Sequence, residues 1–140
     1  CYYPSIGYEI QSRRERIGSM KKILIIEDDA SLLKAYQEMF KPQGVSVVNA
    51  FTGQEGLTLV QSEKPDLILL DIMLPGGMNG FDVLEQLKAN PSTKNIPVIV
   101  LTNLDSEEKV AKAIGAGDYL VKANSTKDEI VKLVSDRLNL

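Results

Sequence analysis

Histidine is absent from all 140 residues. That removes Ser-His-Asp and Cys-His catalysis, histidine-bound zinc, and any role for this chain as a phosphohistidine carrier. The single cysteine, Cys1, can close no internal disulfide. No hydrophobic signal segment precedes the first strand pattern, so the cytoplasm is the expected compartment. Apolar runs stay short, which excludes a membrane-spanning helix. Positive charge is not in excess, because 16 Lys and Arg face 19 Asp and Glu for a net charge of -3. Residues 21 to 140 gather no basic face, so neither nucleic acid nor an anionic membrane is an expected partner. Chemistry must run on Asp, Glu, Lys, Thr and Ser.

What is present suits one globular domain: the length is right and the hydrophobic content of 44% can build a core. The first twenty residues, CYYPSIGYEIQSRRERIGSM, show neither a strand nor a helix repeat. Gly18-Ser19-Met20 reads as a cloning junction, so residues 1–20 are expected to be a vector-derived or fused leader. Arg13-Arg14-Glu15-Arg16 reads as part of that tag rather than as a partner-binding arm. The folded domain is expected over 21–140, with no linker to a second domain.

From Lys21 onward, five short aliphatic runs alternate with amphipathic stretches: KILIIE (22–27), VSVVNA (45–50), DLILLD (66–71), PVIVLT (97–102) and DYLVKA (118–123). Between and after them, Leu32/Leu33/Tyr36/Met39/Phe40, Leu57/Val60, Phe81/Leu84/Leu87, Val110/Ala113/Ile114 and Ile130/Leu133/Val134/Leu138 recur at helical spacing. Pro42 with Gly44, Asn90-Pro91, and Gly115 with Gly117 close the first, third and fourth helices, and Pro65 precedes the third strand. Either Ser125 with Asp128 or Thr126 with Glu129 supplies a capping box for the last helix. Strands made of continuous Ile, Val and Leu are covered on both faces. The architecture is therefore an α/β doubly wound domain, with five parallel strands and five helices.

Ligands of such sheets bind beyond the carboxyl ends of the strands. There the first strand delivers Glu27, Asp28 and Asp29, the third Asp71, the fourth Thr102 and the fifth Lys122. Taken singly, each has a structural explanation. Asp29 caps the following helix, Glu27 and Asp28 are solvated loop acids, Asp71 opens a turn, Thr102 is a turn residue, and Lys122 is a surface ion pair of under about 1 kcal/mol. Their convergence favours a site. Two carboxylates about 4 Å apart repel by roughly 4 kcal/mol at an effective dielectric near 20, so a cation is expected between them. An all-oxygen donor set suits Mg2+. With a carboxylate nucleophile, a lysine and a hydroxyl alongside, the expected chemistry is phosphoryl transfer.

The segments ILIIEDD, DLILLDIMLPGGMNG, PVIVLTN and DYLVKAN resemble the receiver domain of two-component response regulators, over residues 21 to 138. The resemblance implies a flavodoxin-like fold with strand order 2-1-3-4-5. It implies Asp71 as phosphoacceptor, charged by a histidine kinase or histidine phosphotransfer protein. Mg2+ would be held by Asp28, Asp71 and the backbone carbonyl of Met73, with Glu27 acting through water. Thr102 and Lys122 would contact the phosphoryl oxygens, and the rotamer of Tyr119 would accompany activation. The fourth helix, fifth strand and fifth helix would meet a downstream protein, and a homodimer is one assembly open to such a chain.

Two departures stand out. Ala123 follows Lys122 where the family usually has proline, so the Lys122-Ala123 bond is open to either a trans form or a strained cis one. The PGGMNG loop also carries one residue more than the usual turn. Met73 and Leu104 are apolar and cannot orient an attacking water, which implies slow self-dephosphorylation. The competing functions are a phosphohydrolase using Asp71, for which no second acid or cap is evident, and a phosphorylation-incompetent receiver serving in binding or dimerisation. The expected protein is a signalling relay and not an enzyme of external turnover.

Overall fold

In the computed structural model, residues 20–140 are described; the leader expected over 1–20 lies outside them except for Met20. Five strands form one parallel sheet in the order β2-β1-β3-β4-β5: β1 Lys22–Ile26, β2 Ser46–Ala50, β3 Leu67–Leu70, β4 Val98–Thr102 and β5 Asp118–Val121. The helices are α1 Ala30–Phe40, α2 Gly53–Glu63, α3 Gly80–Ala89, α4 Glu108–Ile114 and α5 Lys127–Leu138. This is the flavodoxin-like arrangement, and no described helix is long and apolar enough to cross a membrane.

Strand side chains alternate between two cores because successive residues point to opposite faces. Ile23, Ile25, Leu67, Leu69, Ile99 and Leu101 pack under α1 and α5, meeting Leu33, Tyr36, Phe40, Ile130 and Val134. Leu24, Ile26, Ile68, Leu70, Val98 and Val100 pack under α2, α3 and α4. With both faces covered, the central strands must be apolar between their ends, as they are apart from Lys22 at the start of β1 and Thr102 at the end of β4.

Each helix starts on a side-chain cap except α4. Asp29 accepts from the backbone N–H of Ser31 (2.9 Å) and Leu32 (3.1 Å), the expected helix-starting role. Asn79 with Asp82 and Thr126 with Glu129 form full capping boxes, which settles the choice at α5. Ser125 instead donates its hydroxyl to the Val121 carbonyl at 2.9 Å. The seven residues of α4 bury Ala111, while Val110 is 46% exposed and Ala113 is exposed as well. Two turns have room for one row of core contacts, and that row does not include the Val110/Ala113 pair.

Strand ends fall a residue or two inside the expected runs, and that placement matters for the site. Glu27 and Asp71 lie just past β1 and β3, Thr102 is the last residue of β4, and Lys122 opens a 3-10 turn over Lys122–Asn124. The Lys122–Ala123 peptide is trans, since no described bond is cis. The extra residue of the 75–80 loop is absorbed where Gly76 and Gly77 take φ of 87° and 81°, a region open mainly to glycine.

Candidate functional site

The sheet ladder brings the acids together. Glu27 N–H donates to the Ala50 carbonyl (2.9 Å) and Asp71 N–H to the Ile26 carbonyl (3.1 Å), so both residues leave the sheet side by side. Glu27 is 2% exposed and Asp71 6% exposed, while Asp28 opens to solvent. One carboxylate oxygen from each of the three lies within 4.8 Å of the others. Thr102, fully buried, accepts from the Leu104 N–H at 3.4 Å through its hydroxyl oxygen.

Lys122 crosses from the far edge of the sheet to hold this cluster. Its Nζ donates to Asp71 Oδ2 at 2.8 Å and to Glu27 Oε1 in a short contact. With side chains only 12%, 7% and 3% exposed, these are not surface ion pairs. Burial alone would lower the Lys122 ammonium, but its bonds to Asp71 and Glu27 outweigh that and hold it above the usual lysine range. Burial lifts the Glu27 carboxyl, against the pull of Lys122. The remaining oxygens also have partners: Asp71 Oδ1 accepts from Met73 N–H (3.1 Å) and Glu27 Oε2 from Asp29 N–H (3.2 Å).

Glycine at position 80 lets this turn close. A Cβ there would lie 2.3 Å from the Asp71 carbonyl oxygen and 2.6 Å from the Ile72 Cα, and the Gly80 N–H donates to the Ile72 carbonyl at 2.8 Å. The start of α3 is thereby pinned against the backbone that carries Asp71. An open cleft of about 530 Å³ runs beside it, lined by Asp28, Met73, Leu74, Phe81 and Leu104.

Three carboxylates against one ammonium leave the cluster negative, and the donors are all oxygen. That set fits a hard divalent cation better than a thiophilic metal. Of the expected residues, Glu27, Asp28, Asp71 and Lys122 come together, with Met73 on the Asp71 turn and Thr102 at the neighbouring strand end. Tyr119 stands apart from the cluster; its hydroxyl donates to the Leu104 carbonyl, tying β5 to the loop that follows Thr102. Reasoning from sequence missed the grip of Lys122 on Glu27, which no local pattern signals across 95 residues. It also missed the close approach at Gly80.

The family model described as "Response regulator receiver domain" matches residues 23–135. Protein PilH of Pseudomonas aeruginosa is 41% identical over 105 residues, covering 74% of this chain and 86% of PilH. The alkaline phosphatase synthesis transcriptional regulatory protein PhoP of Bacillus subtilis is 37% identical over 110 residues, covering 77% of this chain but only 45% of PhoP. The chain thus spans under half the length of that regulator. Among solved structures, the BeF3-activated N-terminal receiver domain of Klebsiella pneumoniae RstA superposes with a TM-score of 0.77 at 29% identity, covering 86% of this chain and all of that one.

Proposed function

The chain belongs to the response regulator receiver domain family, and from that premise we propose that Asp71 accepts a phosphoryl group from a phosphohistidine on a histidine kinase or phosphotransfer protein. The observation that carries this reading is the buried Asp71 carboxylate bracketed by Lys122 on one oxygen and the Met73 N–H on the other. An Asp71 oxygen forms the new O–P bond as the donor P–N bond breaks, its electron pair leaving with the imidazole nitrogen. Lys122 keeps its ammonium beside the oxygens that gain charge, and Thr102 offers a hydroxyl at the adjacent strand end. Asp28 and Asp71, with the Met73 carbonyl and Glu27 through water, would hold Mg2+. Bound there, the ion would draw negative charge off the phosphoryl oxygens.

The same residues suggest the switch. A phosphoryl group adds about -1.5 to -2 charges and new acceptors, which favours Thr102 and Lys122 turning onto it. Leu104 lies two residues past Thr102 and accepts the Tyr119 hydroxyl, so movement of that loop is felt on β5. Phosphorylation then reweights two arrangements of the 103–115 segment, and a downstream protein reading α4, β5 and α5 prefers one of them. In this reading the chain acts in the cytoplasm, as a relay that catalyses only its own phosphorylation and dephosphorylation.

The test is intact mass after incubation with acetyl phosphate, with Mg2+ or with EDTA, on the wild type and on Asp71→Asn. One added phosphoryl group, dependent on Mg2+ and absent from Asp71→Asn, is the expected result. No gain in any sample would point instead to a phosphorylation-incompetent receiver.

A further inference from the structure

A cavity of about 170 Å³ opens between α1 and α5, with Lys122 in its wall. Its walls include Leu32, Tyr36, Met39 and Ile130, together with Lys122 and Ser125. The backbone beneath Lys122 is fixed by Ser125, whose hydroxyl donates to the Val121 carbonyl (2.9 Å) and whose N–H donates to the Lys122 carbonyl (3.4 Å). That leaves the lysine side chain, with its several rotatable bonds, to be held by what it packs against.

Tyr36 is the large rigid member of that wall. It is 6% exposed, and it belongs to the core row Leu33, Tyr36 and Phe40 that seats α1 on the sheet. Its ring therefore cannot swing away without disturbing the core. We propose that Tyr36 is a positioning residue for Lys122: its buried ring closes the cavity beside the lysine, so that the ammonium straddles Glu27 and Asp71. The electrostatics agree, since burial pushes the phenol up to about 12, with Lys122 drawing it down and Glu27 and Asp71 raising it. The phenol stays neutral and senses both sides of the ion pair. This inference rests on the phosphoryl-acceptor reading of the same site and names a residue that tunes it.

Removing the wall has two consequences of opposite sign. A lysine free to fall back into the cavity competes less with a cation for Glu27 and Asp71, so Mg2+ binds more tightly. The same lysine is worse placed when phosphoryl oxygens arrive, so acceptance slows. Loss of structure alone would weaken both.

The experiment measures Mg2+ affinity by NMR titration and phosphorylation by acetyl phosphate on the full chain, for Tyr36→Leu, Tyr36→Phe, Lys122→Ala and the double variant Tyr36→Leu/Lys122→Ala. Tyr36→Leu is expected to tighten Mg2+ severalfold and to slow phosphorylation by roughly tenfold. Tyr36→Phe, which keeps the ring, stays within about twofold of wild type, and Tyr36→Leu leaves Mg2+ affinity unchanged once Lys122 is Ala. Weaker Mg2+ binding in Tyr36→Leu, or an equal shift with and without Lys122, overturns the proposal. A wild type that binds Mg2+ but takes up no phosphoryl group would sink the phosphoryl reading, while the Mg2+ cycle would still decide the role of Tyr36.

Discussion

Gly80→Ala is a small change with a large expected cost. Alanine is the better residue inside a helix by about 1 kcal/mol, and Gly80 is the first residue of α3, so on propensity alone the variant should gain stability by up to that amount. At position 80 the new methyl carbon meets the Asp71 carbonyl oxygen at 2.3 Å and the Ile72 Cα at 2.6 Å. Both are backbone atoms, and the 2.8 Å bond from Gly80 N–H to the Ile72 carbonyl holds them close. Restoring ordinary contact requires a retreat of about 1 Å, against a close-packed interior. Overpacking of this kind costs about 1–3 kcal/mol, and rigid backbone neighbours put the net loss near 2 kcal/mol after the helix gain. At a urea slope of about 1–3 kcal/mol/M, the unfolding midpoint drops by roughly 1 M.

Gly53→Ala is the internal comparison. There the methyl meets the side-chain atoms Val83 Cγ2 at 2.7 Å and Met78 Cγ and Sδ at 3.2 Å, which can shift. Its loss should stay under about 1 kcal/mol, partly offset by propensity. Urea unfolding followed by circular dichroism, on both variants and the wild type, gives the order directly. Gly80→Ala as stable as wild type, or Gly53→Ala the less stable of the two, would refute the claim that backbone contact at position 80 pins the Asp71 turn.

Three further outcomes follow from the site and its supports. Lys122→Met leaves Glu27 and Asp71 buried without their cation, so without divalent metal it should lose about 3 kcal/mol, and thermal melts should show Mg2+ restoring more stability to it than to wild type. Backbone and side-chain bonds with Thr126 hold the Glu129 carboxyl below its ordinary value; a depressed acid stabilises the fold above its unfolded pKa and loses that contribution as pH falls through the folded one. The melting temperatures of wild type and Glu129→Ala should therefore differ at pH 6 and converge in acid, and a gap that holds constant would contradict the cap's ionic part. With Met73 and Leu104 flanking the site, phosphorylated protein in Mg2+ buffer should decay over minutes or longer, whereas a half-life of seconds would show that another group orients the attacking water.

Much of the scaffold is legible along the chain because parallel strands covered on both faces must be apolar, and LILL between Asp66 and Asp71, too short for a helix and set off by Pro65, reads as one. Asp29 as a cap was equally plain, since capping is settled within three residues. The convergence of Glu27, Asp28, Asp71 and Lys122 followed from the rule that parallel strands deliver their ends to one edge. What local pattern could not reveal is which oxygen each group takes. The expected role of Glu27, acting on a cation through water, says nothing of the bond that its other face makes to Lys122, because that lysine approaches from a turn 95 residues away. The packed row of α4 is hidden for a related reason: with seven residues, the spacing of Val110, Ala113 and Ile114 cannot say which of them meets the sheet. Gly80 passed unnoticed because a close approach of backbone to backbone leaves no periodic trace.

The most direct measurement is chemical trapping of the acceptor residue. The protein is phosphorylated with acetyl phosphate and Mg2+, reduced with borohydride to convert an acyl phosphate to its alcohol, and mapped by peptide mass. Homoserine at position 71 and nowhere else is the expected result. Reduction at Asp28, or phosphate retained on a serine or threonine with Asp71 intact, would contradict it.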